Sequence, residues 1–232
     1  MILGTVLARA GSEGLPGKNT LELAGVSLLD RAIQKCIDSA HIHVVAVNTD
    51  IKFDQSKYIN VEKAVIHVPR LPEHAGPTAS KWPVYQDSVI VVEAITGLDV
   101  TIAVDIDVSR PLTTAGDIDN TIVAYHKTQA PVMLAMCEAK KNPFYDTYMP
   151  DGQGHMMRVL KPGRKITCRQ NAPPAYEHGG ITVMERNALL KANDLWDDTV
   201  DAHEIKRTHC FDIDDETDWL IVKAVHMDGV CV

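Results

Sequence analysis

Two patterns of apolar and polar residues alternate along this chain, one typical of buried strands and one typical of helices. Short apolar runs, typical of strands buried in a sheet, occupy residues 2–8, 43–47, 64–68, 100–104, 132–136, 180–184 and, more weakly, 209–211. Helical spacing of apolar residues occurs near residues 28–37, 82–92, from 114 or 116 onward, 185–191 and 216–226. This alternation predicts an α/β fold, a doubly wound, mostly parallel sheet with ligands at the carboxyl ends of its strands.

The alternation breaks between about residues 142 and 175, where five prolines interrupt a polar stretch. So long a segment is rarely a bare loop in a compact domain, so we expect it to have structure of its own or a partner to lie on. We therefore predict a single domain over residues 1–232 with a protruding arm at about 142–175.

The amino-acid composition limits the kinds of molecule that this protein is expected to bind. The chain has 232 residues, of which 45% are hydrophobic and 23% charged, enough for one good core. Its net charge of −8 argues against nucleic acid as a partner. No apolar run approaches the roughly 20 residues that span a bilayer, and the five scattered cysteines form no CxxC motif. We expect a cytoplasmic protein with reduced thiols and no membrane contact.

The first strand leads into a loop, residues 9–19, that contains three glycines and the cations Arg9 and Lys18. Glycines let backbone N–H groups converge on an anion, and each cation can add a charge-assisted hydrogen bond of about 1.5–3 kcal/mol. The spacing is neither that of a P-loop nor that of a dinucleotide fold. The local pattern favours a phosphate-binding loop but also fits a glycine-rich turn without a ligand.

Near the C-terminal end, Asp212 and Asp214 follow the predicted strand at 209–211. If both residues are extended, their side chains share one face, which suits a Mg²⁺ ion held by one or two carboxylates. The other interpretation is that Asp214 or Asp215 caps the next helix.

Four stretches, in order along the chain, resemble motifs of the acylneuraminate cytidylyltransferase family, which makes CMP-sialic acids and related compounds. Residues 8–19 match A-R-x-G-S-x-G-x-P-x-K-N, and residues 110–119 resemble S-P-L-R-x-x-x-D-I-D. Residues 169–180 resemble R-Q-x-x-P-x-x-Y-x-x-N-G, and residues 211–219 resemble D-I-D-x-x-x-D-W. Together the four matches span the chain.

The resemblance implies a Rossmann-like nucleotidyltransferase fold and a Mg²⁺-dependent enzyme. Its expected reaction transfers CMP from CTP to a 2-keto sugar acid of the sialic, legionaminic, pseudaminic or Kdo type and releases pyrophosphate. It also implies a homodimer in which the arm contributes to the neighbour's site. Two alternatives stay open: a nucleotidyltransferase for another nucleotide or acceptor, such as a sugar 1-phosphate or a phosphonate, and a degenerate nucleotide-binding protein without turnover.

The resemblance also assigns roles to residues. Arg9, Lys18 and Asp214 are the expected catalytic residues, and Asp212 and Asp214 the expected metal ligands. The expected nucleotide-binding residues are Ala8, Arg9, Gly11, Ser12, Gly14, Lys18, Asn19, Ser80 and Lys81. The expected acceptor-binding residues are Asp107, Arg110, Arg169, Gln170, Tyr176 and His178, with Arg169 gripping the sugar carboxylate.

The chain departs from the family pattern where charge matters. Glu13 replaces the usual lysine of the loop, whereas Lys81 and Arg110 stand where the family tends to have serine. We hypothesise that Lys81 or Arg110 compensates for the lost cation. Asp107 replaces a glutamine that meets the sugar, so we expect an altered acceptor pocket. With Asp105 it forms a second acidic pair that could hold another metal, contact the sugar, or do neither.

Overall fold

A seven-stranded sheet forms the centre of the computed structural model, which describes residues 1–12, 14–128, 130–161, 163–192 and 200–227. The strands are β1 Ile2–Ala8, β2 Glu22–Leu23, β3 Val26–Ser27, β4 Val44–Thr49, β5 Ala64–Pro69, β6 Ile102–Ile106, β7 Val132–Glu138, β8 Tyr148–Pro150, β9 Met156–Arg158, β10 Tyr176–Glu185 and β11 Val200–Glu204. The helices are α1 Leu28–Asp38, α2 Trp82–Thr96, α3 Ala115–Thr128, α4 Arg186–Lys191 and α5 Glu216–Met227.

The strand order across the main sheet is β11-β7-β10-β6-β1-β4-β5. Strand β1 is parallel to β4 and β6, β4 to β5, and β11 to β7, whereas β10 runs antiparallel to both of its neighbours. This arrangement confirms the predicted α/β fold with a mostly parallel sheet.

The central strands are apolar on both faces because helices cover both sides of the sheet. On one side, Val6 and Val45 pack in a core that includes residues of α1 and α3. On the other side, Leu3 and Ala103 pack with Trp82 and other residues of α2 and α4. Burial of both strand faces explains why the sequence shows continuous apolar runs here instead of alternation.

The predicted strand at 209–211 is wrong. Residues Arg207–Cys210 form a 3₁₀ turn, in which the His209 N–H donates to the Lys206 carbonyl at 2.9 Å. The imidazole of His209 lies 2.7 Å from a carboxylate oxygen of Asp117 at the start of α3, which holds the turn against that helix. The edge strand is instead β11, whose polar, half-buried sequence gives no apolar run.

The region predicted to form an arm contains a short hairpin in which β8 and β9 pair with each other. Several of its apolar side chains are exposed, among them Tyr148, Met149 and Met156. The hairpin gives part of this segment structure of its own. Among the described residues, no helix is both long and apolar enough to cross a membrane.

Candidate active site

A cavity of about 490 Å³ lies at the carboxyl ends of β1, β5 and β6, the edge of the sheet where ligands were expected. Nine residues of the predicted site line it: Arg9, Ser12, Gly14, Lys18, Asn19, Lys81, Asp107, Asp212 and Asp214. Leu7, Arg70, Gly76, Pro77, Ala79, Val108 and Ser109 complete the lining. Within the described part of the chain, four cations and three carboxylates therefore converge on one space.

The loop after β1 is held in place by contacts to its backbone. The Asn19 side chain donates to the Arg9 carbonyl at 2.9 Å, and the Ala10 N–H donates to Asp50 at 2.8 Å. One Arg9 Nη donates to the Gly76 carbonyl at 2.8 Å, which aims the guanidinium across the mouth of the cavity. A fixed backbone and an oriented cation are what a triphosphate site requires. Glu13 lies outside the described residues.

Lys18 ties the N-terminal loop to the C-terminal acidic segment. Its ammonium donates to the Ile213 carbonyl and lies 3.4 Å from Asp214 Oδ1. The loop approaches this segment so closely at Gly14 that a Cβ there would lie 2.3 Å from the Asp214 carbonyl oxygen. Only glycine allows this approach, which brings together two motifs almost 200 residues apart.

The acidic segment presents both of its carboxylates to the cavity because Ile213 between them anchors it. Ile213 is fully buried, and its N–H donates to the Ser109 carbonyl at 3.0 Å. Asp212 and Asp214 follow a 3₁₀ turn and not the predicted strand, yet both line the cavity. Asp215 accepts from the Asp218 N–H at 3.0 Å and so caps α5, which leaves the Asp214 side chain out of the cap.

Asp212 has one paired and one unpaired carboxylate oxygen. Its Oδ2 lies 2.9 Å from Arg110, whereas its Oδ1 is buried with no hydrogen-bond partner among the described residues. Burial and the nearby Asp107 raise the pKa of Asp212, and Arg110 opposes them. Because Asp212 lines the polar cavity, a cation bound there could satisfy this unpaired oxygen.

Arg110 lies behind Asp212 and is not among the described residues that line the cavity. Its guanidinium also donates to the Cys210 carbonyl. The side chain passes directly over Gly180, where φ is +85° and a Cβ would lie 2.2 Å from Arg110 Cδ. The structure therefore places Arg110 as the partner of Asp212.

Lys81 and Asp107 form a pair inside the cavity, with 3.4 Å between Nζ and Oδ2. The other oxygen of Asp107 accepts from the Ser109 N–H at 3.0 Å and from its hydroxyl at 2.9 Å. Burial raises the pKa of Asp107, but Lys81 and the Ser109 donors outweigh burial and hold that pKa well below its usual range. In turn, Asp107 raises the pKa of Lys81, so both groups are charged at neutral pH.

Asp105 lies below the cavity and not in its lining. The carboxylate accepts from the Tyr85 hydroxyl at 2.8 Å and lies 3.5 Å from the Thr5 hydroxyl. Burial raises the pKa of Asp105 to about 6, against the pull of Lys81. The described residues contain no group of three or more His, Cys, Asp or Glu side chains that could hold a metal, so a metal at the 105–107 pair or at the 212–214 pair would need further ligands from substrate or water.

We expect Asp105→Asn to stabilise the protein at pH 8 and to have little effect near pH 4. The folded pKa of about 6 exceeds the ordinary aspartate pKa of 3.8, so stability from this group falls as pH rises through that window. A difference of about two pKa units corresponds to about 3 kcal/mol. Denaturant unfolding at both pH values, with exposed Asp99→Asn as the control, measures the effect. An equal gain at both pH values would contradict it.

Four predicted acceptor residues lie apart from this cavity. Arg169 and Gln170 form a 3₁₀ turn with Asn171, and the Arg169 guanidinium donates to the Lys140 carbonyl at 3.3 Å. Tyr176 is half exposed at the start of β10. His178 lies 3.1 Å from the Thr182 hydroxyl, and burial, then Arg110, lowers its pKa.

Three predicted nucleotide-binding residues also lie outside the lining. Ala8 is buried at the end of β1, and a side chain at Gly11 would meet nothing within 4 Å. The Ser80 hydroxyl accepts from the Trp82 N–H at 3.1 Å at the start of α2.

Sequence reasoning missed Arg70, the fourth cation of the cavity. It immediately follows β5, and its Nε donates to the His74 carbonyl at 3.0 Å. The available signal was a charged residue directly after a buried strand, the same signal that marks Arg9 after β1.

Comparison with known families agrees with this geometry. The family model described as cytidylyltransferase matches residues 3–209. The chain belongs to the cytidylyltransferase family. This confirms the resemblance found in the four sequence motifs.

Three curated relatives of this cytidylyltransferase align with almost its whole length. Post-translational flagellin modification protein B of Campylobacter coli is 24% identical over 224 residues, 96% of this chain and 93% of that one. CMP-N,N'-diacetyllegionaminic acid synthase of Campylobacter jejuni is 25% identical over 226 residues, with the same coverage of 96% and 93%. N-acylneuraminate cytidylyltransferase of Streptococcus agalactiae is 22% identical over 93% of this chain, which spans 51% of that protein.

Two solved structures share the fold of this cytidylyltransferase. CMP:2-keto-3-deoxy-manno-octonic acid synthetase complexed with CTP superposes with a TM-score of 0.68 at 14% identity, over 98% of this chain and 99% of that one. The 4-diphosphocytidyl-2C-methyl-D-erythritol synthase of Anaerococcus prevotii gives 0.63 at 13% identity, over 97% and 98%. These likenesses show that the chain shares the α/β fold of both proteins.

Proposed function

We propose that this protein transfers CMP from CTP to a 2-keto sugar acid and releases pyrophosphate. One observation carries the proposal: Arg9 and Lys18, from the loop after β1, and Asp212 and Asp214, from the far end of the chain, line the same cavity. The names of the curated relatives, one a CMP-N,N'-diacetyllegionaminic acid synthase and one an N-acylneuraminate cytidylyltransferase, favour an acidic sugar over other acceptors.

In the proposed reaction, the anomeric hydroxyl oxygen bonds to the α-phosphorus of CTP, the bond to the β-phosphate oxygen breaks, and pyrophosphate leaves. The hydroxyl proton is released to water. Arg9, Lys18, Arg70 and Lys81 would offset the charge of the triphosphate and position it, which is the main requirement of nucleotidyl transfer.

The residues of the acidic segment fit a Mg²⁺ ion. Asp212 offers a buried oxygen without a hydrogen-bond partner among the described residues, and the Asp214 side chain is 79% exposed to the cavity and solvent. Two carboxylates, substrate phosphates and water form the usual ligand set of Mg²⁺. Bound there, the ion would neutralise phosphate charge and orient the triphosphate. Lys18, 3.4 Å from Asp214, would hold that carboxylate in position.

We further propose a homodimer in which the 142–175 arm lies on the other subunit. Exposed apolar side chains on its hairpin support this, since an apolar patch on a small ribbon marks an interaction surface. Arg169, Gln170 and Tyr176 belong to this region or its edge and lie apart from their own cavity. In a dimer they would contact the acceptor bound by the partner.

Light scattering at micromolar protein should give twice the mass of the chain. Met156→Glu, which charges a side chain 63% exposed on β9, should shift the protein toward monomer and lower activity, because it places a charge in the proposed interface. Met227→Glu, at an 85% exposed position on α5, is the matched control and should remain dimeric. A wild-type monomer with full activity would remove both the dimer and the shared site.

The function is tested by measuring pyrophosphate release across a panel of nucleotides and acceptors. We expect release with CTP and a sialic, legionaminic, pseudaminic or Kdo-type acid. Release only with a sugar 1-phosphate or a phosphonate, or only with another nucleotide, would favour the alternative nucleotidyltransferase. Nucleotide binding without release for any combination would indicate a degenerate binding protein.

A further inference from the structure

A second cavity, of about 250 Å³, lies between α1, the turn at 111–114 and the last turn of α5. Its lining includes Arg31 and Lys35 from α1, Thr113 and Thr114 from the turn, and His226 from α5. None of these residues lines the first cavity. Its volume is too small for a nucleotide and suits a small molecule or ion.

The two cations of the cavity stand one helical turn apart on the same face of α1. Like charges at this spacing destabilise a helix by a few tenths of a kcal/mol. Lys35 is only 8% exposed, and its ammonium donates to the Thr113 hydroxyl at 2.8 Å and to the Arg110 carbonyl at 3.0 Å. Both acceptors are neutral, so neither offsets the charge.

Arg31 leaves a buried donor unused. One of its Nη atoms donates to the Leu23 carbonyl, but its Nε is buried without a hydrogen-bond partner among the described residues. Asp38 is the one carboxylate in the described lining, and it accepts from the Gln34 side chain at 2.7 Å. A buried N–H without an acceptor costs about 1–3 kcal/mol, which a ligand with oxygen acceptors would recover.

The surroundings of Lys35 disfavour its charged form. Burial first, and then Arg31, lowers the pKa of Lys35 to about 7, against the weaker opposing pull of Cys36, Asp117 and Asp107. An anion bound beside Lys35 would raise this lowered pKa, because an opposite charge within a few ångströms favours the protonated form.

We propose that this second cavity is a binding site for a small phosphate-type anion, held by Arg31 and Lys35. The anion could be inorganic phosphate or the phosphate group of a small metabolite, since the recognising chemistry is the same. Guanidinium Nε and Nη atoms present a planar grip that suits phosphate oxygens.

A chain of contacts links this site to the active site. Lys35 bonds to the Arg110 carbonyl, and the Arg110 guanidinium lies 2.9 Å from the proposed metal ligand Asp212. The relevance of this link to catalysis rests on the proposed function, whereas the binding of the anion does not.

The site is tested by thermal unfolding in rising phosphate against chloride at matched ionic strength. Wild type should show a rise of about 4 °C once phosphate exceeds its Kd tenfold, and the rise should then grow with the logarithm of the phosphate concentration. Arg31→Gln and Lys35→Gln should each lose the rise. Lys57→Gln removes a cation that pairs with Asp30 of α1 away from the cavity, and should keep it. Lys18→Gln, which weakens the first cavity, should keep it too.

Repeating the titration with glycerol 3-phosphate separates the two sources of the anion. A larger rise than with inorganic phosphate would assign the site to a phosphorylated metabolite, and an equal or smaller rise to the free ion. An undiminished rise in Arg31→Gln and Lys35→Gln would place the anion elsewhere and overturn the proposal. So would an equal rise in chloride at matched ionic strength. Because the readout is stability, either result stands whether or not the protein transfers CMP.

Discussion

Asp214→Ala is expected to abolish CMP transfer, and Asp212→Ala to reduce it almost as far. Both carboxylates line the cavity, and both are the proposed ligands of the divalent cation. Without them, the cation that would neutralise the triphosphate charge could not be held where pyrophosphate departs. Such a cation stabilises the transition state by several kcal/mol in metal-assisted reactions. Excess EDTA should produce the same loss in the wild type, and added Mg²⁺ should restore activity there but not in Asp214→Ala.

Asp215→Ala is the matched control for this pair. It removes a carboxylate one residue away that caps α5 and faces the Asp218 N–H instead of the cavity. Loss of the cap should cost about 1 kcal/mol of stability and leave kcat nearly unchanged. Full turnover of the wild type in excess EDTA would refute the metal requirement. Equal losses in Asp214→Ala and Asp215→Ala would show that the segment acts through folding alone.

The strands that carry the site could be predicted because they are buried on both faces. The continuous apolar runs of β1, β4 and β6 leave little choice of structure, and the polar residues after β1 and β6 then fall at one edge of the sheet. Strand β11 could not be predicted in the same way, since an edge strand with one half-buried face needs no apolar run. In the stretch 209–211, Cys210 is buried in a turn and Phe211 is partly buried, and neither belongs to a sheet.

The charge pairs of the site could not be predicted from spacing. Lys81 and Asp107 are 26 positions apart, and Arg110 and Asp212 are about a hundred apart, so only the folded chain shows that they meet. Family motifs indicated which residues belong to the site. They did not show that the two extra cations, Lys81 and Arg110, have carboxylate partners. Arg169 and Tyr176 lie apart from the cavity within one chain, so their predicted contact with the acceptor depends on the proposed homodimer.

These pairings give the two extra cations different expected effects, although both were considered as compensation for Glu13. Lys81 lines the cavity with a side chain that is 55% exposed, so it can reach the triphosphate when CTP binds. Arg110 lies behind the cavity and contacts Asp212. Lys81→Ala should therefore raise the KM for CTP about tenfold, the scale of one charged contact, with a smaller change in kcat.

Arg110→Ala should instead lower kcat by tenfold or more and weaken the response to Mg²⁺, with little change in the KM for CTP. It frees Asp212 to rotate, and it leaves a half-buried carboxylate without its cation, which also costs stability. Gly180→Ala is a second route to the same result, because its Cβ would collide with the Arg110 side chain while every charge is kept. Steady-state kinetics at several Mg²⁺ concentrations distinguish binding of the triphosphate by Lys81 from positioning of Asp212 by Arg110. A rise in the KM for CTP in Arg110→Ala equal to that in Lys81→Ala, at unchanged kcat, would show that both cations bind phosphate directly.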